Sequence, residues 1–389
     1  MFSSKNVVSA GVRTSRVLVA ASLALGMLLP AAKVFAARDP ELSWIRQFGA
    51  VASSNETARA VDDDGNTFVA GTTDGALSGK TNAGGIDGWL KKYDAHGNLL
   101  FTDQFGTAGD DVVAGIAFDQ SGIHVIGSTT GTFPGQTSAG GKDIFVRKYD
   151  PALDDEHTTL RQFGTDGDDE VMDATEGSAN DYFIAGRTSG AFPEKTNAGG
   201  FDAYVIRLDG SDNVYWVDQF GSEADDVATS VDKKTAAAVF VAGTTNGTLP
   251  DNASAGGSDA FFRQINTDSG NAIETTQFGT AENEDVGGVA ILNDELAVVA
   301  GTTLGSFPGF TNAGGKDAFA KAFVVQTGAF EWTQQFGTSA DDIVNGIGHA
   351  IGERLAFVVG TTAGAFPGQT NAGGTDVFIH KLDTWSGQT

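Results

Sequence analysis

Carboxylates recur in this 389-residue chain at two fixed places. One ends the phrase Thr81-Asn82-Ala83-Gly84-Gly85-Ile86-Asp87, which returns with small changes at residues 137–143, 196–202, 253–259, 311–317 and 370–376. The closing residues Asp87, Asp143, Asp202, Asp259, Asp317 and Asp376 stand 56 to 59 positions apart. The other is an acidic pair: Asp110-Asp111, Asp168-Asp169, Asp225-Asp226 and Asp341-Asp342, with Glu284-Asp285 displaced by one step. Carboxylates beside the carbonyls of Gly-rich loops are what a hard, oxygen-seeking cation takes, so Ca2+ is the cofactor this pattern allows, with the acidic pairs as its ligands. The same side chains can instead bond the amides of their own loops. The first copy has Ser53-Ser54 where the pair belongs, which argues against a metal site at every repeat.

Other chemistries leave little trace. There is no cysteine, which excludes thiol catalysis, haem attachment and cysteine-ligated zinc. His96, His124, His157, His349 and His380 fall at different points of the repeat and never at metal-ligand spacing, so they read as incidental. No Gly-x-Ser-x-Gly elbow, phosphate loop or His-Glu-x-x-His is present. Catalysis would need acid and base from different repeats, as in a glycoside hydrolase or polysaccharide lyase. Its candidates are the residues that break the repeat: Glu194-Lys195, Phe310 and above all Arg187, which replaces a Ser or Thr and could clamp a carboxylate.

The elements that position these residues are short strands. After Gln104-Phe105-Gly106 and the acidic pair, Val112 to Phe118 is β-rich and stops at the turn Asp119-Gln120-Ser121-Gly122. Ile123 to Ile126 follows, then a Gly-rich loop, a third strand from Asp143 to Asp150 and a fourth ending at Gln162-Phe163-Gly164. Asp62 to Asn66 similarly reads as a hairpin turn. Four strands per unit of about 58 residues, without helical periodicity, predict an all-β, six-bladed β-propeller of four-stranded antiparallel blades. The third-strand aromatics Trp89, Phe145, Tyr204, Phe261, Phe319 and Phe378 are then core, and Trp44, Phe101, Trp216 and Trp332 pack between blades.

The ends fix the closure. Gln-Phe-Gly starts at Gln47, Gln104, Gln162, Gln219, Gln277 and Gln335; the first copy precedes any complete blade, and the last blade stops at Leu382-Asp383 without a fourth strand. The N-terminal strand is expected to complete the last blade and close the ring, removing exposed sheet edges.

The Gln-Phe-Gly-Thr ending, the Asp-Asp pair, the Val-Ala-Gly-Thr-Thr second strand (Val69 to Thr73, Val241 to Thr245) and the Gly-Gly-x-Asp-x-Phe entry resemble bacterial SBBP-type β-propeller repeats. The resemblance covers essentially the whole chain after its leader. It implies the propeller fold and an extracellular setting.

Residues 1–37 have the pattern of a secretory signal: Lys5, Arg13 and Arg16, the apolar run Val17 to Leu29, and small residues at Val34-Phe35-Ala36-Ala37. Cleavage after Ala36 or Ala37 leaves the propeller at 38–389, without a membrane span and secreted to the extracellular space or periplasm. Losing four basic residues takes the formal charge from −26 to −30, which repels nucleic acid and anionic lipid and favours cations or basic partners. The loop between strands two and three and the link between blades emerge on one side. That face carries both sets of carboxylates and, with Arg187, is the candidate ligand face. A non-catalytic module binding a protein, a glycan or a cell-surface component through an acidic Gly-rich face is the expected function, with carbohydrate-active catalysis as the alternative.

Overall fold

A computed structural model describes residues 44–50, 53–62, 64–150, 159–177, 180–233, 237–293, 295–349 and 355–383. The expected leader, His157 and Asp63 lie outside the described residues.

Among the described residues, alternating apolar runs broken by Asx and Gly turns form 23 strands in six antiparallel sheets. The first holds β1 (Ser54–Val61), β2 (Thr67–Thr73), β3 (Asp87–Tyr93) and β4 (Leu99–Phe105). The second holds β5 (Asp111–Asp119), β6 (Gly122–Thr129), β7 (Asp143–Tyr149) and β8 (Thr159–Phe163). In the third are β9 (Asp169–Glu176), β10 (Asp181–Thr188), β11 (Asp202–Asp209) and β12 (Val214–Phe220). In the fourth are β13 (Asp226–Asp232), β14 (Ala238–Thr245), β15 (Asp259–Asn266) and β16 (Ala272–Phe278). The fifth has β17 (Glu284–Asn293), β18 (Leu296–Thr303), β19 (Asp317–Val324) and β20 (Phe330–Phe336), and the sixth only β21 (Asp342–His349), β22 (Leu355–Thr362) and β23 (Asp376–Asp383). Asp62 closes the β1–β2 turn by accepting from the Asp64 and Asn66 amides.

Each sheet packs on the next. Five apolar clusters join first to second, second to third, and onward to the sixth. Because the middle strands are covered on both faces, β6 and β18 are buried along their whole length. The third-strand aromatics Trp89, Phe145, Tyr204, Phe261 and Phe319 are at most 1 % exposed, each burial contributing about 1.5–3 kcal/mol. The first strand of every sheet carries a bulge at one equivalent place, such as between Val113 and Gly115 or between Val344 and Gly346. A recurrent bulge raises the local twist, which lets successive sheets splay about the inner strands.

The N-terminal segment departs from the expectation. Residues 44–50 form no strand, and β23 pairs with β22 alone among the described residues. The segment instead lies on the first sheet, with Phe48 edge-on to Trp89 at 5.4 Å and the Trp44 indole donating to the Ala95 carbonyl. On β23, Val377 and Ile379 are 77 % and 71 % exposed, whereas their counterparts Ile144 and Val146 on β7 are fully buried by the following sheet. No helix among the described residues is long and apolar enough to cross a membrane.

Candidate functional site

In the first five sheets the loop after the second strand meets the link after the fourth strand. In the Ala-Gly-Gly-x-Asp turn the carboxylate accepts from the Ala amide four residues back, as Asp87 does from Ala83 at 2.9 Å and Asp376 from Ala372 at 2.7 Å. Asp143, Asp202, Asp259 and Asp317 repeat the bond with Ala139, Ala198, Ala255 and Ala313. The glutamine of the Gln-Phe-Gly signature then crosses to the same carboxylate: Gln104 to Asp87 at 2.8 Å, Gln162 to Asp143 at 2.7 Å, with Gln219, Gln277 and Gln335 reaching Asp202, Asp259 and Asp317. Its carbonyl end accepts from the loop at Leu77, Phe133, Phe192, Leu249 or Phe307. Five of the six aspartates are thereby buried. The turn requires glycine at Gly85, which has φ +48° and where a Cβ would come within 2.5 Å of Asp110 Oδ1.

The acidic pairs divide their labour. The first member reaches back to the preceding sheet's loop: Asp110 Oδ1 accepts from the Ile86 amide, Asp168 from Lys142, Asp225 from Phe201 and Asp341 from Lys316, all at 2.9–3.0 Å. The second member turns inward and closes its own turn, Asp111 onto Thr107, Asp169 onto Thr165, Asp226 onto Ser222 and Asp342 onto Thr338. In the fifth sheet these roles fall to Asn283 and Glu284, which bond Ser258 and Thr280. Asp285, expected in the pair, is already a strand residue facing outward, 3.8 Å from Lys316 Nζ. Burial pushes Asp87, Asp111, Asp226 and Glu284 above the ordinary carboxylate range and Asp169 up to about 6, with Asp143 adding like-charge repulsion to Asp169. Among the described residues, no three His, Asp or Glu side chains converge in a way that could hold a metal ion.

Arg187 occupies the β10 position at which Ser128, Thr244 and Thr302 accept an amide of the next sheet. Its guanidinium is 2.6 Å from Glu170 and stacks on Phe201 at 4.4 Å, while Lys142 pairs with the other Glu170 oxygen. Burial would raise Glu170, but the two cations hold it below its ordinary value. Arg187 also borders a cavity of about 290 Å³ with Asp225, Asn246 and Asp285.

One cluster escaped the sequence reading. His124 on β6 is fully buried, with Nδ1 2.9 Å from Asp212 and Nε2 3.2 Å from Asp119. Tyr182 donates to the same Asp212 oxygen at 2.8 Å and stacks on the imidazole at 4.4 Å. Desolvation opposes the imidazolium, yet its bonds to the two aspartates outweigh this and raise His124, while Asp119 falls to about 2 despite its own burial. The cluster seals the turn side of the second and third sheets and offers a substrate no access. Its sequence signal was a histidine where the other second strands place Phe68, Phe183, Phe240, Val298 and Phe357.

No protein-family model matches the chain. A curated protein, regulatory protein FlaEY of Caulobacter vibrioides, is 23 % identical over 369 residues, covering 83 % of this chain but 38 % of its own length. The chain thus spans about two-fifths of the curated relative it matches. Among solved structures, Sqt1 from Chaetomium thermophilum superposes with a TM-score of 0.50 at 11 % identity, over 88 % of this chain and 74 % of that one. The Pan2 WD40 domain of Neurospora crassa gives 0.49 at 8 % identity, over 85 % and 76 %. The fold is propeller-like, and these likenesses extend to the fold alone.

Proposed function

We propose that the chain is a non-catalytic interaction module that engages a partner protein through the acidic loop face of a closed, six-bladed propeller. The observation that carries this is the arrangement of the first members of the acidic pairs. Asp110, Asp225 and Asp341 are exposed, and each uses only Oδ1 on a neighbouring loop amide. The same anionic group is therefore presented at alternate junctions of one face, first to second, third to fourth and fifth to sixth sheet, a layout suited to several weak equivalent contacts with a basic surface. Among the described residues the inward members of the pairs, Asp111, Asp169, Asp226 and Asp342, close their own turns and are buried away from a substrate.

Closure is supported by the docking of residues 44–49. Phe48 meets Trp89 as Phe105 meets Phe145 (5.9 Å) and Phe220 meets Phe261 (5.4 Å). Lys91 lies over Phe48 at 4.8 Å as Lys321 lies over Phe278 at 4.8 Å, and the Trp44 indole bond repeats that of Trp216 to the Thr267 carbonyl. The segment therefore sits on the first sheet as a fourth strand sits on the sheet after it. On the sixth sheet a cavity of about 690 Å³ is lined by Gly364, Phe366 and Asp376, the counterparts of the three groups that Gln104 engages. Gln47 would fill it. The motif set supports an SBBP-type repeat, and the leader pattern supports action outside the cytoplasm.

The test is selection of peptide binders by phage display, followed by the triple charge reversal Asp110→Lys, Asp225→Lys, Asp341→Lys. Basic binders that are lost with the triple variant, and weaken steeply with added salt, are expected. Binders indifferent to the reversal, or turnover of a polysaccharide panel by the wild type, would overturn the reading.

A further inference from the structure

The junction between the second and third sheets breaks the electrostatic pattern of its neighbours. Between first and second sheets, Asp103 on β4 holds Arg147 of β7 at 2.9 Å; between third and fourth, Asp218 on β12 holds Arg263 of β15 at 2.8 Å. The register makes the equivalent residues certain. Asp103 pairs across its sheet with Leu90, Asp218 with Val205, and Arg161 on β8 with Val146, each the fourth residue of a third strand. At this one junction the cation thus stands where the acid should be, and Ile206 stands where Arg147 and Arg263 stand.

Arg161 has no direct ion pair among the described residues; against desolvation, its charge adds to the bonds of Asp209's own turn in holding that carboxylate below its ordinary value. Its guanidinium lies 4.4 Å above the Phe163 ring and donates to the Asp212 main-chain carbonyl, with no carboxylate in ion-pair range among the described residues. The Asp212 carboxylate is already committed to His124 and Tyr182, and that of nearby Asp209 to the amides of its own turn. Arg161 opens onto a cavity of about 530 Å³ whose accessible apolar lining includes Phe163, Val214, Tyr215 and Val217, above the buried Phe192 and Ile206, with Lys195 on its rim. Lys195 is exposed and also lacks an ion-pair partner among the described residues. Two cations without an ion pair among the described residues, bordering one hollow, are unexpected in a chain with 24 basic and 50 acidic residues. The volume is within the range of small-molecule sites.

We propose that this cavity binds an apolar carboxylate: an anionic group held by Arg161 and Lys195, attached to a ring or short aliphatic body that packs between Phe163, Tyr215 and Val217. The missing aspartate is in effect supplied by the ligand. A guanidinium stacked on an aromatic ring presents its in-plane donors to a carboxylate, and the ring walls exclude water from that pair. Glu194 on the rim opposes entry and sets a limit on affinity. The site lies on the outer flank and does not depend on the proposed loop-face interaction.

The test is 19F NMR titration of the full secreted chain with 4-fluorophenylacetate, alongside 4-fluorophenethylamine and 4-fluorobenzyl alcohol. Saturable binding of the acid is expected, at least about tenfold tighter than the amine or alcohol. Arg161→Gln should weaken it about tenfold; because Arg161 also bonds Asp212, the exposed Lys195→Glu serves as second variant and should weaken it severalfold with an unchanged melting curve. A tetrapeptide ending in phenylalanine with a free C-terminus, compared with its amide, separates sources. Tighter binding of the free-ended peptide than of fluorophenylacetate assigns the carboxylate to a chain end, and the reverse assigns it to a free acid. The proposal is overturned if the acid shows no saturable binding, if amine and acid bind alike, if Lys195→Glu changes nothing, or if an oligouronate binds the cavity where apolar acids do not.

Discussion

His124 Nδ1 lies 2.9 Å from Asp212 Oδ1, and this contact joins a second strand of one sheet to the outer hairpin turn of the next. The folded protein holds the imidazolium proton more firmly than the unfolded chain, because His124 is raised above its ordinary 6.5. Its stabilisation is therefore complete below about pH 6.5 and fades as pH rises through the folded value. Asp169, raised from 3.8 to about 6, acts in the same sense: its contribution is full below 3.8 and lost as pH rises through 6. Asp119 runs the other way, lowered to about 2, so its contribution is present above 3.8 and lost as pH falls through 2. Stability should therefore peak on the acid side of neutrality. Thermal melts across pH 3 to 9 are expected to give a midpoint several degrees higher near pH 5 than near pH 8. His124→Gln should lower the midpoint at pH 5 more than at pH 9; an equal loss at both would show that the imidazolium contributes nothing.

Ring closure makes a prediction about a side chain that is exposed on the first sheet's flank. If Gln47 takes the place Gln104 holds in the first sheet, Gln47→Ala removes the acceptor of the Phe366 amide and one donor to the Asp376 carboxylate, which keeps its bond from Ala372. A loss of about 1–3 kcal/mol is expected in urea unfolding, against no more than about 0.5 for an exposed residue with no such role. Gln104→Ala sets the scale, since its bonds are in place in the first sheet.

Calcium binding depends on where the carboxylates point. Asp168 turns to the Lys142 amide while its neighbour Asp169 turns to Thr165, so the two members of a pair do not converge. A calcium site takes six to eight oxygens, and one oxygen of Asp168 and one of Asp169 are already held by amides of different loops. Melts with EDTA, then calcium, then magnesium at one ionic strength should agree within about 1 °C, since only a ligand of the native state moves the midpoint. A calcium-specific rise of several degrees would contradict this.

The frame was legible in the sequence because its parts are repeated: Phe145 and Gln162 each have counterparts in other units, so their places on the third and fourth strands follow from alignment alone. Burial of Asp143 was harder to see. An aspartate after a Gly-Gly turn suits a ligand shell as well as a turn lock, and only the Gln162 bond distinguishes them. Single-copy features were not legible at all. His124 and Asp212 are far apart in the chain and meet because the β11–β12 turn, with Asp212 at φ +64°, folds under the second sheet. The exchange of Asp for Arg161 acquires meaning only once the register pairs it with Val146, the position at which Leu90 and Val205 pair with Asp103 and Asp218. Closure needed both ends of the chain, and the structure places only one of them on its neighbour.

Glu194 is a departure whose cost can be measured. In the loop after the second strand, Gly79, Gly135, Gly309 and Gly368 have φ between +75° and +88°, and Glu194 takes the same turn at φ +65°. A side chain there clashes with its own backbone, costing about 1–2 kcal/mol, whereas glycine pays only added chain entropy of about 0.5–1 kcal/mol. The net expectation for Glu194→Gly is a gain of roughly 0.5–1 kcal/mol, visible as a higher urea midpoint with unchanged slope. The carboxylate is exposed and makes no ion pair among the described residues, so nothing is lost with it. The substitution also removes the one acid on the rim of the Arg161 cavity. It should therefore tighten fluorophenylacetate binding, whereas Asp251→Gly, which relieves a similar turn at φ +61° in the next sheet, should stabilise the protein and leave that binding unaltered. Equal effects of the two on binding would separate the turn strain from the cavity and remove Glu194 from the site.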